Sequence, residues 1–209
     1  MKKISIISGC VLLVMNAAYA GGDIEPIVEP EVIVEEVVTT NESRLYIGVG
    51  ISALKLKDHF TDEEFTANGV MLQAGYQYNK YLAIEGRYSF HVGDVAYDKG
   101  KLKGVNYDDY PTDFTNLGIY IKPMYSVDNF SAYALLGYGE VELTNIPQDD
   151  ADRTEAGFQW GLGLGYDFHE NVSIFVDYVR MYDDDGFDGR ATNRNVVADA
   201  WTLGVTYKF

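Results

Sequence analysis

Glu85, Arg87, Ser89 and His91 occupy every second position of one short segment, EGRYSFH. Successive side chains of a β-strand point to opposite faces, so this spacing brings all four to one side. A carboxylate, a guanidinium, a hydroxyl and an imidazole are the residue types of acid–base chemistry, with His91 as the base. Two positions along a strand separate Ser89 from His91 by roughly 7 Å, which is beyond hydrogen-bond reach. A different chemistry fits better. Lys122, Glu140, Asp167 and Asp177 fall on the polar parity of other segments, and charges turned towards an interior must be paired. Glu85, Arg87, Lys122, Glu140, Asp167 and Asp177 are therefore expected to form a polar network, with no catalytic residue, metal or cofactor.

Other motifs carry less. DDDGFDG (183–189) has part of the spacing of a calcium loop, but Gly186 stands at the third position and Asn195 at the twelfth. A solvated acidic loop, able to meet divalent ions at lipid phosphates, is the expectation. There is no P-loop, zinc spacing or G-x-S-x-G. His59 and His169 fall in connecting segments.

The elements that position these residues have a period of two from Arg44 onward. Leu45, Ile47, Val49 and Ile51 alternate with Tyr46, Gly48, Gly50 and Ser52. Phe158, Trp160, Leu162, Leu164, Tyr166 and Phe168 alternate with Gln159, three glycines and Asp167. Eight such strands of roughly ten residues follow one another, matching the length needed to cross a bilayer as β-structure. In AYALLGYGEVEL (132–143) the parity is set by Glu140 and Glu142, leaving Tyr133, Leu135, Val141 and Leu143 on the apolar face. Three connections are tight turns (79–81, 127–129 and 169–171). Four are long and polar (57–66, 94–113, 144–155 and 183–195). Short turns at one end and long loops at the other are the layout of an outer-membrane barrel.

A water-soluble barrel would turn its apolar side chains inward. Here glycines share the polar parity with Gln, Glu, Arg and Lys, which suits a crowded interior rather than a surface. Aromatic residues bracket the aliphatic band of the other face near both strand ends, as membrane girdles do. The expected fold is all-β, an eight-stranded antiparallel up-and-down transmembrane barrel over 44–209.

The first 43 residues differ. Lys2 and Lys3, an apolar stretch over 4–15 and Ala18-Tyr19-Ala20 read as a cleavable signal peptide of 20 residues. A lipoprotein reading through Cys10 would leave an apolar region too short for a signal. Residues 21–43 hold seven acids, two prolines and no base, and are expected to form an acidic periplasmic tether. The net charge of −16 becomes −18 without Lys2 and Lys3, which excludes a basic nucleic-acid-binding face.

Through the C-terminal alternation WTLGVTYKF and the segment YLAIEGRY, residues 44–209 resemble the small outer-membrane barrels of the OmpA, OmpX and opacity-protein type, the "porin family" barrel domain. That resemblance implies an outer membrane location in a Gram-negative bacterium, with membrane lipid and lipopolysaccharide as surroundings. It also implies that the assembly machinery reads Trp201, Leu203, Val205, Tyr207 and Phe209 as a signal. The expected role is structural or adhesin-like, through four long extracellular loops contacting a host or matrix ligand. Tyr97, Tyr107 and Tyr110 are the candidate recognition residues. A narrow pore and a lipid-modifying barrel enzyme are the alternatives.

Overall fold

The computed structural model describes residues 43–101, 112–144, 153–185 and 195–209. The expected signal segment and, apart from Ser43, the acidic tether lie outside the described residues. The elements are β1 (Arg44–Asp58), β2 (Glu64–Asn79), β3 (Leu82–Asp98), β4 (Asp113–Val127), β5 (Phe130–Thr144), β6 (Arg153–His169), β7 (Val172–Asp185) and β8 (Asn195–Lys208). Every strand pairs antiparallel with its sequence neighbour, and β8 returns to β1 from Asp58↔Val196 to Tyr46↔Lys208, closing the barrel. The amide of Phe209 extends this seam, donating to the Leu45 carbonyl at 2.9 Å.

Local chemistry sets the tight end. Asp128 sits at φ 51°, a left-handed conformation that Asp tolerates, between the paired Val127 and Phe130. Asn79 Oδ1 accepts the Tyr81 amide at 2.7 Å, an Asx turn that reverses the chain into β3.

The strands run to 17 residues, longer than the roughly 9–11 that cross a bilayer. The excess lies at the long-loop end. There β2 and β3 stay paired to Glu64↔Asp98, and β5 and β6 to Leu143↔Arg153. Segments expected to be loop, such as 94–98, are therefore protruding strand.

The barrel is apolar outside. Ile51 is 68% exposed, Leu162 60% and Ile119 61%, while Glu85 and Gln159 on the opposite parity are fully buried. A soluble barrel would reverse these values. The lumen is filled in a particular way: four rings each stand directly opposite a glycine on the next strand. The pairs are Tyr46↔Gly75, Tyr120↔Gly137, Tyr133↔Gly163 and Phe175↔Gly204. A Cβ built on Gly75, Gly163 or Gly204 would overlap the ring across from it. The glycines are seats for rings, which lets large side chains fold flat inside a narrow cylinder.

This predicts a contrast between two glycines. Gly75→Val should lower stability by about 1–3 kcal/mol, the usual cost of overpacking. Gly86→Ala, on the outer face with nothing nearer than 3.9 Å, should be neutral or slightly stabilising. Urea midpoints of the refolded barrel check this, and equal effects would sink the ring-seat account.

Candidate functional site: the lumen network and the loop-end rim

Residues 85 and 87 face inward from β3, where the register sets Glu85 opposite both Gly75 and Tyr120. Glu85 Oε2 accepts Tyr46 Oη at 2.6 Å and Lys122 Nζ at 2.8 Å, while Oε1 accepts Arg87 Nε at 2.5 Å. Arg87 Nη2 also donates to Asp177 Oδ2 at 2.7 Å, which receives Tyr133 Oη at 2.8 Å. Lys122 Nζ stands 4.1 Å from the centroid of Tyr133, and the Arg87 guanidinium 5.8 Å from that of Phe175. The rings seated on glycines thus supply hydroxyl donors to the acids and π-faces to the bases. Two carboxylates face two cations, so the cluster is formally neutral. It withstands burial because each charge is hydrogen-bonded as well as paired.

Polar side chains continue on either side of it. Gln159 accepts Tyr120 Oη and donates to Asn116 Oδ1, and Gln73 donates to Thr206 Oγ1 at 2.8 Å. The long-loop half of the lumen is apolar, with Leu54, Leu56, Phe114, Leu135, Val141 and Met181 packed together. At the tight-turn end a cavity of about 120 Å³ lies below Tyr46 and Lys122, beside Asp167 and Lys208.

Four of the six expected network residues, Glu85, Arg87, Lys122 and Asp177, come together. Asp167 lies apart near the tight turns, where Lys208 Nζ pairs with it at 2.9 Å. Glu140 is a correction: it faces outward and is exposed, as are Leu136 and Tyr138 on its side of β5. Tyr133, Leu135, Val141 and Leu143 line the lumen instead. The acids misled because Glu140 and Glu142 stand past Tyr138 towards the loops, where an outward charge meets headgroups and water. Tyr133 and Phe175 were missed as interior residues. The available signal was an aromatic residue facing a glycine on a neighbouring strand.

His91 does not face an open site. Its Nδ1 accepts the Phe114 amide at 3.1 Å, and Nε2 lies 3.5 Å from Asp113 Oδ1, bridging β3 to β4 where their ladder ends. The nitrogen a general base would use is engaged in that bridge. Asp183 pairs with Arg180 at 2.7 Å, and no group of three or more potential metal ligands occurs among the described residues. Gly186–Gly189 of the calcium-like motif lie outside them.

At the rim, Tyr97 is another correction. It belongs to β3, is buried, stacks on Phe65 at 4.5 Å and donates to Glu63. An aromatic ring on the inward parity of a protruding hairpin packs rather than displays itself. Tyr107 and Tyr110 lie outside the described residues. Lys101 Nζ hydrogen-bonds Asp62 at 2.8 Å and holds its carboxyl below the usual range, tying the root of one loop to the next. At the other end of the chain, Trp201, Leu203, Val205, Tyr207 and Phe209 all face outward, and Tyr207 meets Phe209 edge-on at 5.1 Å.

A closed barrel with an apolar exterior and an ion-paired interior defines an outer-membrane β-barrel embedded in lipid. The chain belongs to the family described as "Outer membrane protein beta-barrel domain", which matches residues 28–209. It is 30% identical over 121 residues to Outer membrane protein X of Escherichia coli; that match covers 56% of this chain and 64% of the relative, slightly under two thirds. In fold it is similar to Ail of Yersinia pestis, crystallised with the heparin analogue sucrose octasulfate (TM-score 0.53, 20% identity, 80% and 99% of the two chains). It is also similar to OprG of Pseudomonas aeruginosa (TM-score 0.54, 13% identity, 80% and 96%).

Breaking the lumen cluster should be costly. Arg87→Met leaves Glu85 and Asp177 without their shared cation and should lower stability by about 3–5 kcal/mol. Glu140→Gln should change it by less than about 0.5 kcal/mol. Denaturation of the refolded variants decides, and a comparable loss for Glu140→Gln would return that residue to the network.

Proposed function

We propose that this outer-membrane protein acts at the cell surface, as an adhesin-like contact protein whose loop-end crown meets a host or matrix surface. The observation that carries this reading is the protrusion of β2–β3 and β5–β6 beyond the membrane-spanning length, over a lumen occupied by side chains. A strand end held that far from the bilayer contributes nothing to spanning it and presents a firm base for recognition loops.

Charge indicates the partner. The four long segments 57–66, 94–113, 144–155 and 183–195 carry 17 acidic against 7 basic residues. Such a crown attracts basic surfaces and repels polyanions. Ail was crystallised with a heparin analogue, and that ligand chemistry does not suit this chain. Conduction is the weaker reading, because eight strands leave an interior that side chains fill, and apolar packing occupies its outer half. A lipid-modifying activity would need His91 released from its bridge to Phe114.

Replacing residues 102–111 by a Gly-Gly link should reduce adherence of bacteria displaying the protein by about tenfold while leaving membrane insertion intact. Residual wild-type binding should weaken with salt and resist competition by heparin. Adherence unchanged by the deletion would refute the contact role.

The outward row ending in Phe209 is read as the segment that the assembly machinery recognises. Phe209→Ala should lower the amount inserted in the outer membrane without altering the spectrum of protein refolded in detergent. Equal insertion of the variant counts against that reading.

A further inference from the structure

Among the described residues, the outer face carries an open notch. Ala53 of β1 pairs with Trp201 of β8 on one side and Asn68 of β2 on the other, so a methyl lies between a standing indole and an amide. Beyond Asn68 the β2–β3 ladder jumps from Ala67↔Val95 to Gly69↔His91, with Gly93 at φ 83°, and Val92 is thrown outward as the far wall. Bulges of this kind re-aim side chains. The resulting groove holds about 510 Å³, within the range of small-molecule sites, roughly 300–1,000 Å³. Ile51, Val70 and Leu203 continue it down the barrel.

Two observations identify the occupant. The groove lies at the girdle of the long-loop end, where the ring of Tyr178 meets that of Trp201 at 5.3 Å. Directly above it on the same face stand the ion pairs Lys55–Glu64 and Arg180–Asp183, together with Asp199. Such charges belong at headgroup depth, so the notch is the uppermost layer of the acyl region. The second observation is Asn68. Its side chain is exposed on a lipid-facing wall and has no hydrogen-bond partner among the described residues. An amide there offers a donor and an acceptor side by side, and leaving both unmatched against hydrocarbon is costly.

We propose that this groove seats one acyl chain of lipid A, the phosphorylated glycolipid of the outer leaflet, with the chain's amide linkage hydrogen-bonded to Asn68. An amide-linked chain matches both halves of the Asn68 side chain, whereas the ester linkages of a phospholipid offer acceptors only. The proposal rests on the membrane placement of the barrel and is independent of the surface-contact role.

The test uses the full chain reconstituted in phospholipid nanodiscs, titrated with purified lipid A and read by native mass spectrometry. Wild type should retain one lipid A per barrel. Ala53→Phe, which fills the notch, and Asn68→Leu, which removes the amide, should each weaken retention by about tenfold. Ile119→Phe, outward on β4, should retain it as wild type does. A gel shift on boiling establishes that each variant is folded. Equal retention by all four proteins overturns the proposal. So does parallel loss of phospholipid and lipid A, or a barrel dimer that Ala53→Phe abolishes.

Discussion

In hydrocarbon a backbone N–H or C=O has no water to turn to, and an unpaired one costs several kcal/mol. Everything else in this molecule follows from meeting that requirement. The ladder cannot stop at an edge, so β8 must return to β1, and the Phe209 amide still finds the Leu45 carbonyl at the last position. Closure at eight strands fixes a cylinder too narrow for ordinary packing on the inside. It also commits one parity of every strand to lipid, which forces the remaining charged and polar side chains into a shared interior.

That interior solves its problem by combination. Tyr46 and Tyr133 lie against glycines to save space, and the same hydroxyls donate to Glu85 and to Oδ2 of Asp177. Volume and charge are therefore balanced by one set of residues. The arrangement binds five strands: β1 through Tyr46, β3 through Glu85 and Arg87, β4 through Lys122, β5 through Tyr133 and β7 through Asp177. Replacing a buried ion pair with apolar side chains often stabilises a protein, so the cluster is better understood as fixing one arrangement than as adding net stability.

Much of this was legible in the sequence, because alternation is a strong signal when both faces are committed. The eight strands, the three tight turns and the inward placement of Glu85, Arg87, Lys122 and Asp177 could all be read from parity. What failed did so for physical reasons. Glu140 was read as interior because outward acids are forbidden only at bilayer depth, and sequence alone does not show where a strand leaves the bilayer. Tyr97 was read as a displayed ring because the β2–β3 ladder continues where polar residues suggest a loop. The notch beside Asn68 depends on a bulge, and a local shift of register leaves almost no trace in composition.

The opposition of rings and glycines bears on how the barrel reaches its final form. Alternation guards against a slip of one residue, since that would turn every lipid-facing side chain inward. It is blind to a slip of two, which preserves the faces. Tyr46 displaced by two would meet Gln73 or Gln77 instead of Gly75, and Phe175 would meet Thr202 or Thr206 instead of Gly204. Either shift puts a ring against a side chain where only a hydrogen fits. The glycine run of β6 offers Tyr133 no such discrimination, because Gly161 and Gly165 flank Gly163. Tyr120 is guarded in one direction only, since Leu135 and Gly139 flank Gly137. Error correction in strand alignment is thus strongest at the β1–β2 and β7–β8 seams, the two that adjoin the closing one.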